Sequence, residues 1–444
     1  MNTPVVDFLR RCGESSALRL HMPGHKGTPL LGPEPWDITE IEGADSLYEA
    51  SGILRESEQN AGVLFGGETV YSTEGSSQCI RAMVYLAALH AKESGRQPLI
   101  LAGRNAHKTF LSAVALTGLD VRWLSAGEGA SYLSCPVTAA EVEADLAEHS
   151  PAAVYLTSPD YLGNTVDIAA IAGVCHRYGT LLLVDNAHGA YLKFLRPSRH
   201  PLDLGADLCC DSAHKTLPAL TGAAYLHISP NAPAMFAAQA KNAMALFGST
   251  SPSYLILGSL DAVNGYLADG YGEKLAAFSA EADALKARLT AYGWQLTGDE
   301  PLKLTLLPKA FGYTGRRLAD LLLEQDIVCE FSDPEHLVMM LTPGTGTEGL
   351  ARLEAALTQI PRREPVTEQP PAFRMPERVL SVREAVFAPA ETIPAAESVG
   401  RVLAAASVGC PPAVPIVVCG ERIDAAAAEC FAYYGIESVT VVKE

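Results

Sequence analysis

Asp185 closes the apolar run Leu181-Leu182-Leu183-Val184, and thirty positions later Lys215 stands in Ser212-Ala213-His214-Lys215-Thr216 behind a second short apolar run. A carboxylate at the end of a buried strand commonly caps the next loop, so Asp185 alone would say little. A lysine flanked by His and Thr is less ordinary, because solvated lysines usually stand among other charges. Taken as a pair they suit one chemistry: a lysine amine that condenses with the aldehyde of pyridoxal 5'-phosphate (PLP), and an acid that keeps the pyridine nitrogen protonated so that the ring accepts electrons. Such a site also needs a cradle for a dianionic phosphate, best built from backbone N–H groups and hydroxyls at a helix N-terminus. Glu74-Gly75-Ser76-Ser77-Gln78 opens a predicted helix over 76–93 and offers one. Gly75, Ser76 and Ser77 alone would read as a plain N-cap; the three signals in this order are far more specific.

The elements that must position these groups follow from hydrophobic periodicity. Strands are expected at 98–102, 121–124, 153–157, 181–185, 207–210 and 223–228, with helices at 76–93, 108–117, 139–148 and 168–178 between them. Asp167 is the N-cap and Gly179 the C′ residue of the last helix. Alternation of this kind predicts an α/β fold with a mostly parallel central sheet, in which ligands bind beyond the carboxyl ends of strands. The polar groups at 158–160, 185–188 and 211–215 stand at such ends. Further on, a helix at 279–292 and strands at 302–307, 327–331 and 337–342 predict a smaller α/β domain. Five prolines lie between Pro361 and Pro376 in a charged stretch that reads as a linker. The expected organisation is an N-terminal segment 1–70, a cofactor-binding large domain 71–245, a small domain 246–360, a linker 361–376 and a C-terminal domain 377–444.

The bulk properties narrow the class. The 444 residues are 48% hydrophobic and 19% charged, which allows a large packed core and excludes a disordered or fibrous chain. Ten cysteines are scattered without C-x-x-C spacing and read as reduced, with no metal site expected. No stretch approaches 18 uncharged apolar residues and the start lacks a secretory pattern, so a soluble cytoplasmic protein is expected. The net charge of −18 disfavours nucleic acid and anionic lipid as partners.

Several motifs together resemble the Orn/Lys/Arg decarboxylase family of fold-type I (aspartate aminotransferase-like) PLP enzymes. They are Leu20-His21-Met22-Pro23-Gly24-His25-Lys26-Gly27, Asp37-Ile38-Thr39-Glu40-Ile41 with Gly43-Ala44-Asp45-Ser46-Leu47, Arg104-Asn105-Ala106-His107-Lys108, and the Asp185-Asn186-Ala187-His188-Gly189 and Ser212-Ala213-His214-Lys215 segments. At the far end Gly400-Arg401, Pro411-Pro412 with Pro415, Gly420-Glu421 and Tyr433-Tyr434-Gly435-Ile436-Glu437 are similar to that family's C-terminal domain. The resemblance implies that Ser76 and Ser77 hold the cofactor phosphate with Ser212 and His214 nearby. It also implies that His107 stacks on the pyridine ring, Ala187 lies on the opposite face, and His188 orients Asp185 or the substrate carboxylate. The turn with His25 and Lys26 would border the active site across a homodimer interface. The chain resembles the short biosynthetic form of the family, without its receiver-like N-terminal domain.

What the resemblance implies chemically is decarboxylation of a basic amino acid, arginine ahead of lysine and ornithine, for polyamine biosynthesis. His214 or Lys215 would return the proton to the product. Glu330 and Asp333, in Cys329-Glu330-Phe331-Ser332-Asp333, are the acids expected to meet the distal cation of the substrate. Asn186, Asp211, Ala213 and Gly222 depart from the family pattern, which more commonly has Glu, Gln, Thr or Ser, and Gln there. Two other classes fit part of the pattern. A fold-type I aminotransferase or lyase would keep Asp185 and Lys215 but need an arginine for a carboxylate, with Arg352 as its candidate. A non-catalytic polyamine-binding homologue would explain the departures but not an intact Lys215.

Overall fold

The computed structural model describes residues 1–124, 133–372, 374–410 and 414–444; the Pro411-Pro412 pair lies outside them. Seven strands carry the alternating segment: β1 (Glu68–Ser72), β2 (Gln97–Ala102), β3 (Asp120–Trp123), β4 (Pro151–Thr157), β5 (Leu181–Asp185), β6 (Leu208–Asp211) and β7 (Ala224–Ile228). The helices of the same part are α1 (Pro4–Glu14), α2 (Ile53–Phe65), α3 (Ser76–Ser94), α4 (Lys108–Thr117), α5 (Ala139–Glu148), α6 (Ile168–Arg177) and α7 (Ala213–Thr216). The chain divides into two compact units, Met1–Ser94 with Ile168–Lys274, and Gly95–Asp167 with Leu275–Glu444.

In the first unit the strands run in the order β1, β7, β6, β5. β5 and β6 are parallel, whereas β7 is antiparallel to both β6 and β1. Reversal of β7 makes β1, β5 and β6 point the same way. Their carboxyl ends and the amino end of β7 therefore meet at one edge. Asp185 is level with Cys210, Asp211 with Tyr225 and Ser72 with Ala224. Every residue of β5, β6 and β7 is buried, including the polar His227 in the middle of β7.

In the second unit β4, β2 and β3 are all parallel, and α4 and α5 provide the crossovers that parallel strands require. A four-stranded sheet follows, in the order β10 (Phe331–Ser332), β11 (Leu337–Met340), β9 (Lys303–Leu306), β8 (Leu296–Thr297). Two ribbons complete the C-terminal part, β12 (Ala390–Pro394) with β15 (Ser438–Val442) and β13 (Ser407–Cys410) with β14 (Val414–Val418). A buried ion pair between Arg104 and Glu421, 2.7 Å apart, joins the end of β2 to this part.

Most expected elements lie within a few residues of the observed ones, but the helix expected at 279–292 starts at Tyr271, and two strands also differ. β1 was not anticipated, because Glu68-Thr69-Val70-Tyr71-Ser72 has no clean alternation. The expected strand 327–331 is reduced to Phe331–Ser332: Ile327 donates to the carbonyl of Leu322 and Asp326 takes φ 58°, so the end of the helix Gly315–Leu323 uses up these residues.

Helix α1 is fixed from a distance. Thr3 makes no side-chain cap; instead Asp261 accepts the N–H groups of Val5 (2.9 Å) and Val6 (3.0 Å) and the Ser57 hydroxyl. Gly258, on the same helix as Asp261 (Tyr254–Ala268), lets that helix meet α1, since a Cβ there would lie 2.5 Å from Leu9 Cδ1. Burial raises the Asp261 carboxyl to about 6, against the pull of the Ser57, Val6 and Val5 hydrogen bonds. A folded-state value above the ordinary 3.8 means that the folded chain holds the proton more tightly. That stabilisation is complete below the unfolded value and lost as pH rises through the folded one. Asp261→Ala is expected to cost about 1–2 kcal/mol in denaturant unfolding through loss of the cap. The stability of the wild type relative to Asp261→Asn should fall between about pH 4 and about pH 6; a flat difference across that range would contradict the assignment.

Candidate active site

The common edge of β1, β5, β6 and β7 brings the sequence-predicted groups of the first unit together. The turn after β1 is held by Gly75, whose N–H donates to the Gly222 carbonyl (2.8 Å), and α3 then starts at Ser76. Gly75 has φ 68° and Gly222 φ 97°, both left-handed, and a Cβ on Gly222 would come within 2.9 Å of the Thr73 carbonyl oxygen. The departure at Gly222 thus has a physical reason: no side chain fits there without moving the turn. Ser76 and Ser212 place their hydroxyls 2.9 Å apart at the N-terminus of α3, where the helix dipole favours negative charge.

Asp185 is buried at the end of β5. Its Oδ1 accepts from the Ala187 N–H (3.1 Å) and lies 3.6 Å from Cys210 Sγ. Burial, reinforced by the nearby Asp185 charge, pushes the Cys210 thiol up, so it faces the carboxylate as a donor. Ala187 is buried too, behind the same turn.

His188 Nε2 lies 3.1 Å from Lys215 Nζ, three residues after Asp185 on the same turn. Lys215 is half-buried on the short helix α7. His214 donates from Nδ1 to the Ala223 carbonyl (2.9 Å), which leaves Nε2 as its proton-exchanging atom. Thr216, which sequence reasoning passed over although it adjoins the lysine, has a buried hydroxyl with no hydrogen-bond partner among the described residues.

The remaining predicted residues have local partners. His107, in the second unit, is the N-cap of α4 and accepts the Thr109 N–H. His25 accepts the Gly27 N–H at Nδ1 and turns Nε2 to Asp37 (3.2 Å), while Lys26, at φ 56°, donates to the His21 carbonyl. Glu330 is exposed and accepts from the Tyr161 hydroxyl (2.7 Å). Asp333 is buried, and its carboxylate serves the N–H groups of Glu335 and His336 and the His336 ring, so it caps a turn. Arg352 donates to the carbonyls of Gln325 and Asp326.

These groups fit PLP. Convergent hydroxyls at a helix N-terminus suit a phosphate, a strand-end carboxylate in a dry site suits a protonated ring nitrogen, and an orphaned hydroxyl beside the lysine is what a site built around a further polar group leaves.

Comparison with known proteins agrees. The model of the family described as Orn/Lys/Arg decarboxylase, major domain, matches residues 3–296. An arginine decarboxylase of Bacillus subtilis is 28% identical over 457 aligned residues, covering 95% of this chain and 91% of that protein. In fold, a lysine decarboxylase of Francisella novicida superposes with TM-score 0.78 at 18% identity over 99% of this chain and 81% of its own. The constitutive lysine decarboxylase of E. coli gives TM-score 0.77 at 18% identity, over 100% and 82%.

Reduction with borohydride of protein purified with PLP should fix the cofactor on Lys215, found by peptide mapping. Lys215→Ala should abolish the covalent label and still hold PLP weakly through the serines. Label on another lysine would sink the assignment.

Proposed function

The chain belongs to the Orn/Lys/Arg decarboxylase family, and from that premise we propose that it is a PLP-dependent decarboxylase of a basic amino acid, arginine ahead of lysine and ornithine. It releases CO2 and leaves the amine, a product suited to polyamine biosynthesis. The observation that carries the reading is the meeting, at one sheet edge, of the Lys215–His188 pair, the buried Asp185 and the Ser76–Ser212 hydroxyls. Arginine is placed first because the arginine decarboxylase of Bacillus subtilis aligns over nearly the whole of both chains.

Bound there, PLP would supply the electron sink for the pair released when the carboxylate leaves. Asp185 would hold the proton on the ring nitrogen. Lys215 must lose a proton before it can act as a nucleophile, and His188 Nε2 is within reach to take it. His214, with Nδ1 fixed on a carbonyl, would exchange protons through Nε2. Ser76 and Ser77 would bind the phosphate with Ser212 and His214 nearby, and His107 would stack on the ring. Glu330, which has acceptor capacity beyond its Tyr161 bond, is our choice for the distal cation of the substrate; Asp333 is used by its turn.

The working unit in this reading is a homodimer. Leu18, Leu20, Met22, Leu30 and Leu31 flank the turn with His25 and Lys26, and Leu20 and Leu31 are 84% and 92% exposed. Apolar side chains gathered this way on a folded chain mark a contact surface, and a second copy would cover them and bring the turn to its neighbour's site. No helix among the described residues is long and apolar enough to cross a membrane, and we place the enzyme in the cytoplasm.

Asp185→Asn keeps the side-chain shape and removes its charge. Turnover of basic amino acids should fall roughly 100-fold or more, with cofactor content much less affected; near-normal turnover would reduce Asp185 to a loop cap. For the dimer, a chain with Lys215→Ala and a chain with His25→Ala should each be poor, and coexpression should yield more activity than their sum. Activity no greater than the sum would end the shared-site reading and leave the cofactor assignment intact.

A further inference from the structure

Asp211 ends β6, one residue before Ser212 and four before Lys215, and its side chain is fully buried. Its Oδ1 accepts from Asn186 Nδ2 at 2.6 Å, and its Oδ2 faces His200 Nε2 at 3.0 Å and His227 Nε2 at 3.2 Å. Burial alone would raise this carboxyl, but the charges and hydrogen bonds of His200 and His227 outweigh it and hold the acid well below its usual range. A carboxylate this deep persists only because three donors surround it.

His200, Cys209 and Asp211 bring three ligand atoms within 4.8 Å of one another, yet they do not make a metal site. Leu202 donates its N–H to His200 Nδ1 (3.4 Å), which puts the ring proton on Nε2, the atom facing Asp211, and a protonated nitrogen has no lone pair to give.

Asn186 is the other half of the arrangement. Its backbone N–H donates to the Cys210 carbonyl (3.0 Å), and its side chain reaches the next residue of the same strand, Asp211. The space around it is closed: its Oδ1 is buried without a hydrogen-bond partner among the described residues, and a Cβ on Gly189 would approach that oxygen to 2.0 Å. The turn after Asp185 is therefore bound twice to the strand that leads into Lys215.

We propose that Asp211 is a positioning residue for the cofactor site: through Asn186 it fixes the turn that carries Asp185, and through its own backbone the Ser212–Lys215 segment. Carboxylate, amine and phosphate-binding hydroxyl then keep one spacing. This rests on the PLP reading. Three variants test it: Asp211→Asn, Asn186→Asp, and the two combined, which exchanges amide and carboxylate while keeping their hydrogen bond.

The readouts are the PLP dissociation constant, the visible circular dichroism of bound cofactor and the melting temperature. Each single variant should weaken PLP on the order of tenfold and alter the dichroism, Asn186→Asp more severely because two carboxylates would face each other. The double variant should return to within about threefold of wild type. If a charged variant does not fold, Asn186→Ala, which leaves Asp211 with both histidines, should still weaken PLP severalfold. Singles that lower only the melting temperature, a double variant as impaired as the sum of the singles, or one equivalent of metal in the purified protein would each overturn the proposal. A wild-type protein that does not bind PLP on Lys215 would instead overturn the function reading itself.

Discussion

Everything at the site depends on the parallel pairing of β5 with β6 in the register that sets Asp185 level with Cys210. A shift of one residue would turn every side chain of β5 to the opposite face, and Asp185 would no longer stand at the edge where Ser212 and Lys215 emerge. β7 extends the constraint by running antiparallel beside β6, which delivers Gly222 and Ala223 to the same edge, there to bind Gly75 and His214. The phosphate cradle is thereby tied to the lysine through the backbone, so the geometry of the site is that of the sheet.

Charge is managed by the same strands. Two carboxylates, Asp185 and Asp211, lie at the ends of neighbouring buried strands, and each accepts hydrogen bonds there. Asp185 accepts from the Ala187 N–H and lies against the Cys210 thiol at the edge where Ser212 and Lys215 emerge. Asp211 is enclosed by an amide and two imidazoles, which suits a group meant to stay put. The histidines are in turn held from outside, His227 by Thr69 on β1 and His200 by the Leu202 N–H, so β1 contributes to the support as well as leading into α3.

Asp185, Lys215 and the start of α3 were legible in the sequence because each is a local pattern, an apolar strand ending in a functional side chain or a Gly-Ser-Ser turn opening a periodic helix. What was hidden is what depends on distant partners or on backbone conformation. The His188 contact with Lys215 spans twenty-seven positions, and no local spacing announces it. Gly222 read as a departure until its positive φ and its approach to Thr73 explained it. Asn186 and Asp211 read as two separate departures, whereas they are hydrogen-bonded to each other, with amide and carboxylate exchanged relative to the expected Glu and Gln. Asp333 was read for its charge, although an aspartate at the start of a tight turn more often caps it.

The central claim is that this edge removes a carboxylate from a basic amino acid. It is tested most directly by supplying PLP-loaded protein separately with arginine, lysine and ornithine, and measuring CO2, amine and keto acid together. The account predicts CO2 and the corresponding amine in equal amounts from at least one of the three, with arginine fastest. A keto acid without CO2 would mean an aminotransferase, and no turnover of any of the three by protein carrying PLP on Lys215 would mean that the site binds without this chemistry.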